Sequence, residues 1–463
     1  PVPARASVRL LTVILSLALA LAASPVARAR DGEGAGAPLD WGGHLRLRYS
    51  AGRAAEESLF AFLGGERLVD LAPEARLKLR VGPFGPDDRL SLEVHAESVL
   101  RAGDTVGAER RLAELTESIG SGAFAELLGG VVDDERRLFD LTTTGEGAQY
   151  RATERVDRLV LGVRPDWGSV RIGRQALTWG NGMLFNPMDL FNPFSPTDVE
   201  RDYKVGDDMV VVHRPGTAGG DLQLLGVPRR DPATGDVEWD ASSVAAKLHR
   251  FLDFAGSLEV DLLAARHYGE PVLGGGVSGF LAGAVWRVDA VWSRRGAGPS
   301  VRAGEAAGDD FVAAVANLDR SWTWRGRNAY GFVEVYFNGL GHADAARALE
   351  DPAVLERLAR GELFTLGRRY LDASVNLEAH PLVNLWLTTI RNLDDGSGLV
   401  QPRLVWNAQQ DLEVVLGADL HYGDRGSELG GLVLPGLGSV VPGDVPPVLA
   451  SPDRLYLWVS RYF

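Results

Sequence analysis

The sequence predicts an all-β fold: a transmembrane, antiparallel, up-and-down barrel of about eighteen strands, with short helices in long outer loops. Sixteen strands is the alternative count. Three observations carry this reading: a leader-like amino terminus, a carboxyl-terminal strand ending on an aromatic residue, and strand-length segments between them that alternate apolar with polar residues. The composition agrees. Apolar residues make up 45 % of the 463, and a barrel averages to near neutrality because each strand is apolar on one side only.

At the amino terminus Arg5 and Arg9 precede the apolar run 10–23, and Ala27-Arg28-Ala29 supplies the small residues a signal peptidase reads. Residues 1–29 are therefore expected to be a secretory leader, with a single barrel over 30–463. The apolar run is shorter than the ~20 residues of a spanning helix. About ten residues separate Arg30 from the first strand, which leaves no room for a plug domain. At the other end, Phe463, Val459, Leu457 and Leu455 share one phase. This matches the closing-strand signal recognised by the barrel-assembly machinery, although Arg461 interrupts it.

Barrel strands of ~9 to 11 residues should be joined alternately by short periplasmic turns and long outer loops. Strands are expected at 40–50, 73–82, 88–98, 153–164, 168–176, 206–214, 219–228, 240–251 and 254–266. The others fall at 276–285, 287–295, 309–318, 328–339, 366–379, 382–392, 397–407, 410–422 and 454–463. Connections after even-numbered strands are brief (83–87, 165–168, 215–219, 380–381, 407–410). Those after odd-numbered strands include the long segments 51–72, 99–152, 177–205, 340–365 and 423–453.

Alternation also assigns faces. A charge facing hydrocarbon at mid-depth costs ~2–4 kcal/mol, so charged positions belong to the lumen. Arg46, Arg48, Arg76, Lys78, Arg80 and Arg171 then form a basic lumenal wall, and Glu259, Asp261, Glu334, Asp372, Glu378 and Glu413 an acidic one. Opposed walls set up a transverse field that filters ions. Plain solvation of a wide, wet lumen explains the same charges.

Residues 171–208 are the most informative stretch. Trp179-Gly-Asn-Gly182 turns the chain sharply, and Asn186-Pro187, Asn192-Pro193 and Ser195-Pro196 keep it out of helix and sheet. The stretch holds Trp179, Met183, Leu184, Phe185, Met188, Leu190, Phe191 and Phe194, too apolar a set to stand free in water. It should pack against the barrel. Arg174, Asp189, Glu200, Arg201, Asp202 and Lys204 are the constriction candidates. No metal site is expected. Asp198, Asp207 and Asp208 are a weak calcium set, in a spacing that matches no EF-hand.

The pattern GRQ (173–175), WGxG (179–182), NPxD (186–189) and Asp-Tyr-Lys-x-Gly-Asp-Asp (202–208) resembles that of porin-like outer-membrane barrels of Gram-negative bacteria. The alginate-export type is the closest named relative. The resemblance covers about forty residues strongly. It implies that the third outer loop, 177–205, folds inward and narrows the channel.

Other classes fit poorly. The absence of cysteine rules out disulfides, thiolate metal sites and c-type haem attachment. A net charge of −14 argues against nucleic-acid binding. None of the eight histidines lies in a zinc-protease motif, and no nucleophile motif is present. No enzymatic activity and no cofactor are expected. Residues 105–128 and 342–360 carry helical spacing and are expected to cap the mouth. The expected function is passive diffusion of small hydrophilic solutes or ions through an outer-membrane porin, as a monomer or homotrimer among outer-membrane lipid and lipopolysaccharide. The alternative is a dedicated export or scaffold barrel, for example for an anionic polysaccharide, closed at rest by the same loop.

Overall fold

The computed structural model describes residues 39–118, 134–197, 203–216, 219–253, 258–294, 310–433 and 448–463. The leader region lies outside them. Eighteen strands form the barrel: β1 Leu39–Arg53, β2 Arg67–Phe84, β3 Leu90–Gly103, β4 Tyr150–Val163, β5 Ser169–Gln175, β6 Asp207–Pro215, β7 Asp221–Val227, β8 Ser243–Leu252 and β9 Leu258–His267. The second half comprises β10 Glu270–Leu281, β11 Ala284–Ser293, β12 Phe311–Trp324, β13 Arg327–Asn338, β14 Arg369–His380, β15 Val383–Asn392, β16 Gly398–Gln409, β17 Leu412–Tyr422 and β18 Asp453–Tyr462. Each strand pairs antiparallel with the next. The barrel closes where β1 meets β18, from His44 opposite Tyr462 to Arg53 opposite Asp453.

Connection lengths alternate as expected, with two exceptions. The long-loop end also carries the two-residue turn 268–269 and the five-residue connection 393–397. Tyr268-Gly269, Ala282-Gly283 and Arg325-Gly326 all have positive φ at both residues, the twist that suits a two-residue hairpin.

These hairpins correct several strand limits. The tenth strand is expected from 276, yet β10 begins at Glu270 and runs through Gly274-Gly-Gly276. At Gly276 a Cβ would lie 2.3 Å from Asp289 Oδ1, so glycine there makes room for a lumenal carboxylate. Strand β2 begins at Arg67 rather than 73, because its pairing with β1 continues in register as far as Arg53 opposite Arg67. Strand β12 runs to Trp324 rather than 318.

The outward phase is apolar all the way round, as hydrocarbon demands. Leu47, Leu262, Leu273, Leu318, Val333, Leu387, Leu416 and Leu455 are all exposed on it. Arg461 shares this phase but sits at the short-turn end, where its guanidinium reaches Asp411 at 2.7 Å.

At the long-loop end lie four helices: α1 Leu59–Gly64, α2 Asp104–Ser118, α3 Ala345–Ala348 and α4 Pro352–Ala359. The remainder of the 105–128 expectation lies outside the described residues. Leu59, Leu112, Leu340, Ala348, Val354 and Leu432 bring α1 to α4 and the last loop into one apolar cluster, so the loop helices pack on each other.

Candidate functional site: the lumen and its inward loop

The described parts of the connection between β5 and β6, residues 176–197 and 203–206, lie inside the barrel. Trp179, Met188 and Phe191 are buried against Met209, Val211, Leu225, Val227, Leu263, Val272 and Val291 on the inner faces of β6, β7 and β9 to β11. Phe185 stacks on Tyr336 at 4.5 Å and packs with Tyr370 and Ile390. The expectation of a polar lumen therefore needs correcting. From β6 to β15 much of the inner wall is apolar and is covered by the loop. Burying each such side chain contributes about 1.5–3 kcal/mol.

Carboxylates on that wall hold the loop in place. Glu334 on β13 has no exposed surface. It accepts the backbone N–H groups of Met183 at 2.6 Å, Leu184 at 2.9 Å and Phe185 at 2.8 Å, and also the Asn317 side-chain amide at 3.2 Å. Asp289 on β11 accepts the Asn181 backbone N–H at 2.5 Å and its side-chain amide at 3.0 Å. Asp261 accepts Lys247 at 3.1 Å and His249 at 3.0 Å.

Of the predicted acidic wall, Glu334 is thus a loop anchor, joined by Asp289, whereas Asp261 pairs mainly with the wall residues Lys247 and His249. Asp372, register partner of Glu334, is buried with neither oxygen hydrogen-bonded. Glu259, Glu378 and Glu413 sit toward the short-turn end, where Glu378 accepts Asn328 at 2.7 Å and Glu413 accepts the Tyr462 hydroxyl at 3.5 Å.

On the opposite side the loop meets the basic wall. The Tyr203 ring lies 4.2 Å from the Arg76 guanidinium and 4.0 Å from Lys78 Nζ, and Thr197 O accepts the Gln401 amide at 3.1 Å. The loop therefore crosses the lumen, with contacts on β2 and β16 as well as on β11 and β13.

The basic wall is not purely basic. Arg76 donates to Glu97 at 2.6 Å and Asp157 at 2.7 Å. Glu74 takes His44 at 2.8 Å and also Arg48. Glu93 lies 3.8 Å from Arg80 and 3.7 Å from Arg171. Two walls of opposite sign are therefore replaced by paired charges, because in-register neighbours on β2, β3 and β4 carry the compensating acids.

The constriction candidates separate. Arg174 is buried with Asp208 and Asp134, both at 2.9 Å, beneath residues 134–139. Its register partner Leu159 faces outward, so Arg174 lines no open passage. Arg171 and Arg174 are an odd number of residues apart, a signal already present in the sequence that both cannot face the lumen. Asp207 pairs with Arg229 at 2.5 Å while Asp208 takes Arg174, so the structure does not join them in a cation site. Glu200, Arg201, Asp202 and Asp198 lie outside the described residues.

Asp189 and Lys204 are paired and buried within the loop. Burial pushes the Asp189 carboxyl up to about 6 against the pull of Lys204, and burial likewise holds Lys204 below its ordinary value. A carboxyl whose pKa is raised by seating favours the seated loop at low pH. That advantage is fully present below the ordinary value of 3.8 and is lost as pH rises through about 6. Open-state excursions of the current should therefore become rarer on acidification from about pH 7.5 to about pH 5. An Asp189→Asn variant should show no such dependence in single-channel records; a dependence unchanged in that variant would refute the assignment.

On the long-loop side of Thr197 an open cavity of about 470 Å³ is lined by Arg48, Arg101, Gln401, Asp419, Arg454 and Trp458. Trp458 carries the Arg46 and Arg48 guanidinium groups over its ring, each 5.9 Å from the centroid. Sequence reading missed Trp458, although it lies on the phase opposite to Leu455 and Leu457. Asn181 and Asp289, 108 positions apart, left no local signal of their contact.

The fold and the lumen-crossing loop define a porin architecture. The chain is similar to Acinetobacter baumannii OccAB1, whose crystal structure aligns over 94 % of this chain and 98 % of that chain, with a TM-score of 0.52 at 9 % identity. A BenF-like porin from Pseudomonas fluorescens Pf-5 aligns over 92 % and 98 %, with a TM-score of 0.48 at 9 % identity. Pseudomonas aeruginosa OccK7 (OpdD) aligns over 92 % and 99 %, with a TM-score of 0.46 at 11 % identity. At 9 % identity the likeness to OccAB1 is one of fold. No family model and no curated protein sequence matches the chain.

Proposed function

We propose that this protein is an outer-membrane channel of a Gram-negative bacterium, through which small hydrophilic solutes or ions diffuse past a constriction made by loop 177–205. The observation that carries the reading is the path of the loop. It is anchored to Glu334 and Asp289 on one wall and rests with Tyr203 on the other, and a cavity lined by Arg48, Gln401, Asp419 and Trp458 lies beside it. Paired charges along that cavity give a polar path, while the closed barrel and its apolar outer phase suit a bilayer. Lys78 and Tyr203 stand where the loop meets the basic wall. With Arg48 and Trp458 they are the residues best placed to set the narrowest point.

The test is single-channel conductance of the refolded barrel in a planar bilayer, beside a variant lacking residues 183–200. Steady conductance that rises on deletion is the expected result. Silence in both chains would overturn the channel reading, and current only after deletion would mean a barrel closed at rest.

A further inference from the structure

The outward face at the long-loop end carries charges that neither the lumen nor hydrocarbon accounts for. Tyr370 and Asp372 on β14, and Ile390 and Asn392 on β15, are buried on the inner phase. Arg369 and Arg391 therefore point outward, and both are exposed. Arg391 lies opposite Leu371, while the Leu393 N–H donates to Arg369 O at 2.8 Å. The two arginines are thus diagonal neighbours, about 7–8 Å apart at the backbone, and two guanidinium groups can converge across that span.

Their existing partners leave room for an anion. Arg391 has no hydrogen-bond or ion-pair partner among the described residues. Arg369 pairs with Asp394 at 2.7 Å, but Asp394 is already occupied by the Arg368 and Arg369 backbone N–H groups and has only 2 % of its side chain exposed. By contrast, the outward Arg53 and Arg294 at this rim each have an accessible acid, Glu66 at 3.0 Å and Asp310 at 3.4 Å. On the far side of Arg391, Tyr422 lies over Gly398, where a Cβ would be 2.2 Å from the Tyr422 hydroxyl. Gly398 pairs with Arg391 on one side and with Tyr422 on the other, which brings a phenol to the arginine pair. On the same face Val335, Phe337, Leu371 and Leu387 continue as exposed apolar surface.

We propose that Arg369 and Arg391, flanked by Tyr422, bind the phosphate of an outer-leaflet lipid whose acyl chains lie along Phe337, Leu371 and Leu387. Guanidinium groups hold phosphate through forked hydrogen bonds, and cations at a membrane boundary are matched to anionic headgroups. The site rests on the reading of this barrel as an outer-membrane protein.

The test is titration of the refolded barrel, in neutral maltoside micelles, with lipid A, with its dephosphorylated counterpart and with inorganic phosphate. Replacing both arginines (Arg369→Gln with Arg391→Gln) should weaken lipid A binding about thirtyfold, at roughly fivefold per cation. Dephosphorylated lipid should bind both chains equally weakly, and the control pair Arg53→Gln with Arg294→Gln should bind lipid A like the parent. Unchanged lipid A affinity in the first pair, equal affinity of the parent for both lipids, or displacement of lipid A by inorganic phosphate would each overturn the proposal. Arg391→Gln alone, at unchanged β circular dichroism, separates loss of the site from loss of the fold. A conducting barrel with no phosphate dependence refutes the lipid site alone. A silent barrel that still loses lipid A with the two arginines refutes the channel alone.

Discussion

Replacing Glu334 by alanine is expected to release the tip of the inward loop and raise single-channel conductance severalfold, with added current noise. The carboxylate is the shared acceptor for three consecutive N–H groups, of Met183, Leu184 and Phe185, and for the Asn317 amide. Hydrogen bonds to a charged group are worth about 1.5–3 kcal/mol each, so their joint loss outweighs what the neighbouring Phe185 and Tyr336 stack retains. Glu334→Gln keeps one carbonyl acceptor and should lie between parent and alanine variant. Heat-modifiable migration on a gel establishes that each variant is a folded barrel. An alanine variant with parental conductance and parental noise would show that Glu334 does not hold the loop.

Arg76→Ala should have the largest effect on stability. This guanidinium is 1 % exposed and bridges Glu97 on β3 to Asp157 on β4, while Tyr203 of the loop covers it. Removing one member of a buried ion network costs about 3–5 kcal/mol, because the charges left behind stay desolvated. Tryptophan fluorescence during denaturant unfolding in detergent should report a lower midpoint. Arg76→Lys should recover only part of the loss, since an ammonium cannot fork to both acids. An alanine variant that unfolds at the parental midpoint would refute the bridge.

Much of the barrel was legible in the sequence because alternation is a local property. A residue on the lipid face such as Leu47 is apolar whatever its partner, and its neighbours Arg46 and Arg48 are thereby assigned to the lumen. The same rule applied strictly would have set Arg174 apart from Arg171. It could not reveal that β10 passes through Gly274-Gly-Gly276, because the reason lies on β11, in the Asp289 carboxylate that needs the space. Nor could it show that Glu74, Glu97 and Asp157 neutralise the basic wall, since that depends on which strands are neighbours and in what register.

The sequence by itself determined the all-β barrel class, about eighteen strands and their two faces, because hydrocarbon on one side and water on the other impose a period of two on every strand, and the apolar side chains of 177–205 marked the connection that packs against the barrel. Only the tertiary structure decided what the inward loop touches. Contacts such as Glu334 with residues 183–185, Asn181 with Asp289 and Tyr203 with Arg76 join segments more than a hundred positions apart. Such contacts depend on barrel closure and strand register, and no local pattern encodes them.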